Sequence, residues 1–193
     1  MAEPTLLGLP KELREQIYLL TLPPQHPTNA KRPYPREPPL LQVSHFLRQE
    51  TLPLFYANTP LSTHTTIDRT SYNKPVLRYY PWWHHFPPTR FQHIKQFDLQ
   101  FDFLERYFGE PVTITFTIKL MRGVHFEIEH RFKEGWWRDP NRRGDPKDCE
   151  EVIEVLKGHF GSVLTGLLQP GGAVKLSADD LDRLLEVDTD TLP

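Results

Sequence analysis

Val112-Thr113-Ile114-Thr115-Phe116-Thr117-Ile118-Lys119-Leu120 alternates apolar and polar residues without a break. After Met121-Arg122-Gly123 the alternation resumes in Val124-His125-Phe126-Glu127-Ile128-Glu129. Successive side chains of a strand point to opposite faces, so this period of two describes a sheet with one covered and one wet face. The residues between the two segments form a short turn, and the pair reads as a β-hairpin. Its apolar face needs a cover. Residues 148–168 supply one, because Val152, Leu156, Phe160 (or His159), Val163 and Leu167 recur at helical spacing, widened by Ile153 and Leu164. Pro170-Gly171-Gly172 ends that helix. Ser177 then caps a last short helix whose apolar side is Leu181, Leu184 and Leu185, with Asp179 and Asp180 favoured by the helix dipole. The expected architecture is α+β, with amino-terminal helices followed by a small antiparallel sheet covered by one long helix.

Working upstream, residues 94–101 alternate imperfectly and predict a strand, and residues 61–67 a short edge strand. Residues 71–90, centred on Tyr79-Tyr80-Pro81-Trp82-Trp83-His84-His85-Phe86-Pro87-Pro88, read as irregular. Ahead of them lie two helical segments. Leu9, Leu13, Ile17 and Leu20 are spaced for one helix face, with Pro10 near the first helical position and Pro23-Pro24 as the stop. In residues 40–56 the apolar positions are Val43, Phe46, Leu47, Leu54 and Phe55, and Pro53 predicts a kink or a break. Seven prolines fall between Pro23 and Pro39. Proline removes a backbone donor and restricts its predecessor, so this stretch is an exposed extended linker. The chain divides, on this reading, into a helical module at residues 1–62, with its proline-rich loop at 23–39, and an α+β domain at 63–193.

Composition narrows the function classes. A formal net charge of -2 gives no general basic face for nucleic acid. A single cysteine, Cys149, excludes an internal disulfide and a multi-cysteine zinc site, which fits a reducing compartment. No signal-like start and no run of about 18 apolar residues is present, so neither export nor a membrane span is expected. Cytosol or nucleus is the expected location.

Chemistry-bearing constellations are few. His125, Glu127 and Glu129 share one strand face at a spacing that could present metal ligands, but they alternate with the buried face and the plain reading is a solvated sheet surface. His84 and His85 are adjacent and point apart, a poor start for one metal site. The surrounding Trp82 and Trp83, like Trp136 and Trp137 in the charged segment 135–145, read as partner-binding aromatics, since tryptophan is a common interface anchor; for the first pair a plug under a long loop is the plainer alternative. Cys149 sits at a helix start crowded by Asp145, Asp148, Glu150 and Glu151, which opposes a thiolate. No G-x-S-x-G elbow, phosphate-cradling glycine loop or H-E-x-x-H is found. Neither catalysis nor a cofactor or metal is expected.

The amino-terminal segments say more. Leu9-Pro10-Lys11-Glu12-Leu13-Arg14-Glu15-Gln16-Ile17-Tyr18 is answered by Leu40-Leu41-Gln42-Val43 and then by Arg48-Gln49-Glu50-Thr51-Leu52-Pro53-Leu54-Phe55-Tyr56-Ala57-Asn58-Thr59. Together they resemble the fungal F-box-like proteins with paired E-x-R helices, over roughly residues 5 to 62. The resemblance implies an adaptor that docks a Skp-type linker of a cullin ubiquitin ligase, while the rest of the chain recruits a target protein. Leu9, Pro10, Leu13, Ile17, Val43 and Leu47 are then the linker-binding residues, as helix-in-groove anchors. The alternative reading is a stand-alone globular interaction or regulatory protein whose helices only complete its own fold, since an apolar stripe ordinarily faces a core. Glu12, Arg14, Arg48 and Glu50 are expected to form structural ion pairs, Glu12 with Arg48 and Arg14 with Glu50.

Overall fold

A computed structural model of the chain describes residues 5–22, 37–69, 76–79, 81–105, 112–121, 125–132, 146–167, 176–189 and 192, with backbone alone for 69, 105, 132 and 146–149. Its helices are α1 (Lys11–Thr21), α2 (Leu40–Val43), α3 (His45–Asn58), α4 (Pro88–Phe91), α5 (Pro146–Gly166) and α6 (Ala178–Leu185); Leu6–Gly8 and Trp82–His85 are 3-10 turns. The strands β1 (Leu61–Arg69), β2 (Val76–Tyr79), β3 (Gln96–Glu105), β4 (Val112–Leu120) and β5 (Phe126–Phe132) form one sheet in the order β2-β1-β3-β4-β5. The fold is α+β.

The alternating segments become β4 and β5, paired antiparallel from Leu120↔Phe126 to Ile114↔Phe132. Their connecting turn, residues 122–124, lies outside the described residues. The sheet is mixed, however, and not the antiparallel one expected. β1 runs parallel to β3, from Leu61↔Phe97 to Arg69↔Glu105, and lies between β2 and β3 where an edge strand was expected. The reason is legible in β1 itself. Thr65 is fully buried beside Ile67, and its β-branched methyl fits an interior pleat although its hydroxyl reads as polar. β2, four residues inside the stretch expected to be irregular, is too short to show a period.

One face of the sheet carries the core. Phe101 of β3, Phe116 of β4 and Phe160 of α5 meet in a triangle, with ring centroids 5.2 to 5.9 Å apart. Val152, Ile153, Leu156, Phe160 and Leu164 are the buried stripe of α5. His159 turns aside, its Nε2 lying 3.0 Å from the Arg183 carbonyl oxygen, so Phe160 is the stripe residue. α6 begins with a capping box in which the Asp180 N–H donates to Ser177 Oγ and the Ser177 N–H donates to the Asp180 carboxylate.

The opposite face is polar and its groups satisfy one another. Thr117 Oγ1 donates to Asp98 at 3.0 Å and Thr113 Oγ1 to Asp102 at 2.7 Å. His64 Nε2 lies 2.6 Å from Asp102. Lys119 Nζ lies 2.6 Å from Glu129 and 3.9 Å from Glu127. It holds the Glu129 carboxyl below its ordinary range.

α3 is continuous through Pro53, so no break falls there; the chain breaks instead at Ser44, whose extended backbone separates α2 from α3 and whose Oγ accepts the Leu47 N–H. The last carbonyls of α3 are satisfied by side chains, Asn58 Nδ2 donating to Leu54 O and Thr59 Oγ1 to Phe55 O. The proposed boundary after residue 62 falls inside β1, and Leu22, Leu41, Phe55 and Tyr56 belong to the same buried cluster as Phe97, Phe116 and Leu156. Helices and sheet thus share a core. Among the described residues no helix is long and apolar enough to cross a membrane.

Candidate docking surface

α1 packs against α3 through a polar face. Arg14 donates through Nε to Glu50 Oε2 at 2.9 Å and through Nη2 to the other carboxylate oxygen. The Tyr18 hydroxyl donates to Glu50 Oε2 at 2.9 Å. Arg14 also donates through Nη1 to the Leu9 carbonyl, just ahead of the Pro10 cap of the helix, and its guanidinium lies 5.5 Å from the centre of the Phe46 ring. The two side chains are 11% and 12% exposed. Charge-assisted bonding of this bidentate kind favours both ionised forms. Accordingly the hydrogen bond from Arg14 holds the Glu50 carboxyl below its ordinary range, and Glu50 raises Arg14. Burial, then the hydrogen bond to Glu50, pushes the Tyr18 phenol up.

The second expected pair, Glu12 with Arg48, does not form. Residues two apart on a helix lie on opposite sides. Once Arg14 and Glu50 face each other, Glu12 and Arg48 face away. Arg48 pairs with Glu37 at 3.2 Å instead, and Glu12 is exposed in the first turn of α1. Glu37 also receives Arg90 at 2.8 Å and the Tyr56 hydroxyl at 3.0 Å, which ties the approach to α2 onto α3 and α4.

Because Arg14 and Tyr18 occupy the inner side of α1, with Leu22 buried just past its end, the leucine stripe turns outward. Leu13 lies about 140° from Tyr18 around the helix axis at 3.6 residues per turn. Leu13 is 46% exposed, Leu20 86%, Val43 68% and Phe46 46%. Leu6, Leu7 and Leu19 are exposed as well, so seven of the nine exposed large apolar side chains among the described residues lie in the first 46 positions. An amphipathic stripe normally faces a core, and a cluster of exposed ones marks an interaction site.

The expected linker-binding residues therefore divide. Pro10, Leu13 and Val43 are exposed, Leu9 and Ile17 are half-buried, and Leu47 is buried against the expectation, because its position on α3 faces the core together with Thr51. Trp82 and Trp83 are buried too, which removes them from the partner-binding set. Trp83 stacks on Tyr79 at 5.6 Å, and its Nε1–H donates to Asp182 at 2.9 Å. These tryptophans plug the junction of the 3-10 turn with β2 and α6. Trp136 and Trp137 lie outside the described residues. Leu6, Leu7 and Leu19 are surface residues that spacing did not single out, and Leu20 and Phe46, placed by spacing on helix faces, were not among the expected linker-binding residues. The signal for Phe46 is the Arg14 guanidinium over its ring, which no one-dimensional pattern carries.

A second cluster joins His84, Asp179 and Asp182, whose ligand-capable atoms lie within 4.8 Å of one another. His84 Nε2 is 2.7 Å from one Asp182 oxygen, and the Trp83 indole holds the other. Asp182 is thus already engaged on both oxygens, and the group works as a clamp between the 3-10 turn and α6.

No protein-family model matches this sequence, and no curated protein or solved structure gives a significant match.

Proposed function

We propose that this chain is a protein-binding adaptor whose amino-terminal helices dock a Skp-type linker of a cullin ubiquitin ligase, the remainder recruiting a target protein. The observation that carries the reading is the outward stripe of α1, with Leu13 and Leu20 exposed, together with the exposed Val43 of α2. Burial of each such side chain in a partner's groove is worth about 1.5–3 kcal/mol, so a handful of them suffices for a specific complex. Pro10 enters at the helix start, where its missing N–H leaves nothing unsatisfied in an apolar groove. The mechanism is tethering, with no bond made or broken by this chain. Trp136 and Trp137 are the recognition residues of the proposal, now without Trp82 and Trp83. Co-expression of the tagged chain with a Skp-type linker tests the docking step. The linker should co-purify in stoichiometric amount with the wild type and be lost with Leu13→Asp. Failure of the wild-type chain to retain the linker overturns the reading.

A further inference from the structure

The inner side of α1 is the more polar one. Arg14 and Tyr18 meet α3 there, both held by one carboxylate, Glu50, while Leu13 and Leu20 face out. A helix with this distribution has two ways to lie on its neighbour. In one, the polar side is in and hydrogen-bonded. In the other, a roll of about 140° would lay the leucines against α3 and return Arg14 to water.

What α3 offers α1 decides between them. Phe46, Glu50 and Leu54 follow one another every four residues along α3 and so share a side. Phe46 touches Arg14 and Glu50 binds it. Glu50 is the only charged position of that row. With its carboxylate present, an inward guanidinium and phenol are satisfied. Without it, the row is wholly apolar, and an inward Arg14 at 11% exposure is a desolvated charge that has lost its counter-ion.

We propose that Glu50 is a register lock: it holds α1 in the rotation that keeps Leu13 and Leu20 turned outward, and its loss lets α1 roll and bury that stripe against α3. Glu50 is thus a positioning residue for the apolar surface and need not touch anything that binds there. The inference concerns the chain alone and does not depend on the identity of a partner.

Thiol labelling reads the rotation. In a Cys149→Ser background, Leu13→Cys reports the outer side of α1 and Leu22→Cys the inner side. With Glu50 intact, the first labels fast and the second slowly. Combined with Glu50→Ala, the roll slows labelling at position 13 at least tenfold and speeds it at position 22 by a similar factor. Unchanged rates at both positions overturn the lock, as does acceleration at both with helical circular dichroism retained, which describes α1 lifting off. Should Glu50→Ala unfold, with both positions reacting as in urea, the same comparison on Glu50→Gln decides, since it keeps the side-chain length and loses the charge.

Discussion

The indole N–H of Trp83 donates to a carboxylate oxygen of Asp182 at 2.9 Å, across 99 positions of sequence. The other oxygen of Asp182 holds His84 at 2.7 Å. Two consecutive residues of a 3-10 turn are therefore fastened to α6 by a single side chain, and the turn in turn stacks Trp83 on Tyr79 of β2. The far end of the chain thus closes over the sheet edge formed by β2.

Removal of that side chain leaves a buried indole donor without its acceptor. A buried donor left unsatisfied costs about 1–3 kcal/mol. Asp182→Ala should lower the urea midpoint accordingly with the denaturant slope unchanged, since the surface exposed on unfolding is nearly the same. A loss below about 0.5 kcal/mol, the scale of ordinary surface substitutions, would remove Asp182 from its role as a clamp.

The contrast between core and surface leucines gives a second expectation. Phe160 fills the centre of the aromatic triangle and is fully buried, so Phe160→Ala should cost about 3–5 kcal/mol. Leu20 has the same apolar character and sits in water, and Leu20→Ser should change stability by no more than about 0.5 kcal/mol. Equilibrium denaturation of both variants checks this. A Leu20→Ser loss of the same order as Phe160→Ala would mean that the stripe is covered in solution.

Acid should weaken the fold in two stages. Burial, with help from Lys95, lowers His93 from its ordinary 6.5. Below that pH the unfolded chain takes up a proton that the folded chain refuses, so stability is full above 6.5 and starts to fall as pH drops below it. Glu50 and Glu129 are lowered from an ordinary 4.5 by Arg14 and Lys119, and their contribution is present above 4.5 and lost as pH falls further. In a pH series of denaturant melts, His93→Gln should flatten the decline that begins near 6.5 and leave the one below 4.5 in place. An unaltered first decline in the variant would clear His93 of it.

The sequence shows the hairpin, the α5 stripe and the Ser177 cap directly, because each is written in a local period or a local hydrogen bond. The strand β1 was expected but its interior place was not, and β2 was missed, for opposite reasons. In β1 a buried threonine at position 65 imitates a polar residue, and in β2 four residues give a period no room to repeat. A kink or break in residues 40–56 was sought at Pro53, the strongest local signal, whereas the break falls at Ser44, through a cap and an extended backbone. The exposed apolar face of α1 was legible as a stripe but not as a direction. Spacing places Leu13, Ile17 and Leu20 on one side of α1; which side faces the core is set by Glu50, 36 positions beyond Arg14. Helical phase also explains why one of the two expected ion pairs forms and the other does not.

The most direct test of the account is a calorimetric titration of the purified chain with a purified Skp-type linker, beside the doubly substituted Leu13→Asp, Val43→Asp chain shown by circular dichroism to be folded. The account predicts saturable one-to-one binding by the wild type and at least a hundredfold weaker binding by the variant. No heat of binding with the wild type, or equal affinity for both chains, would contradict it.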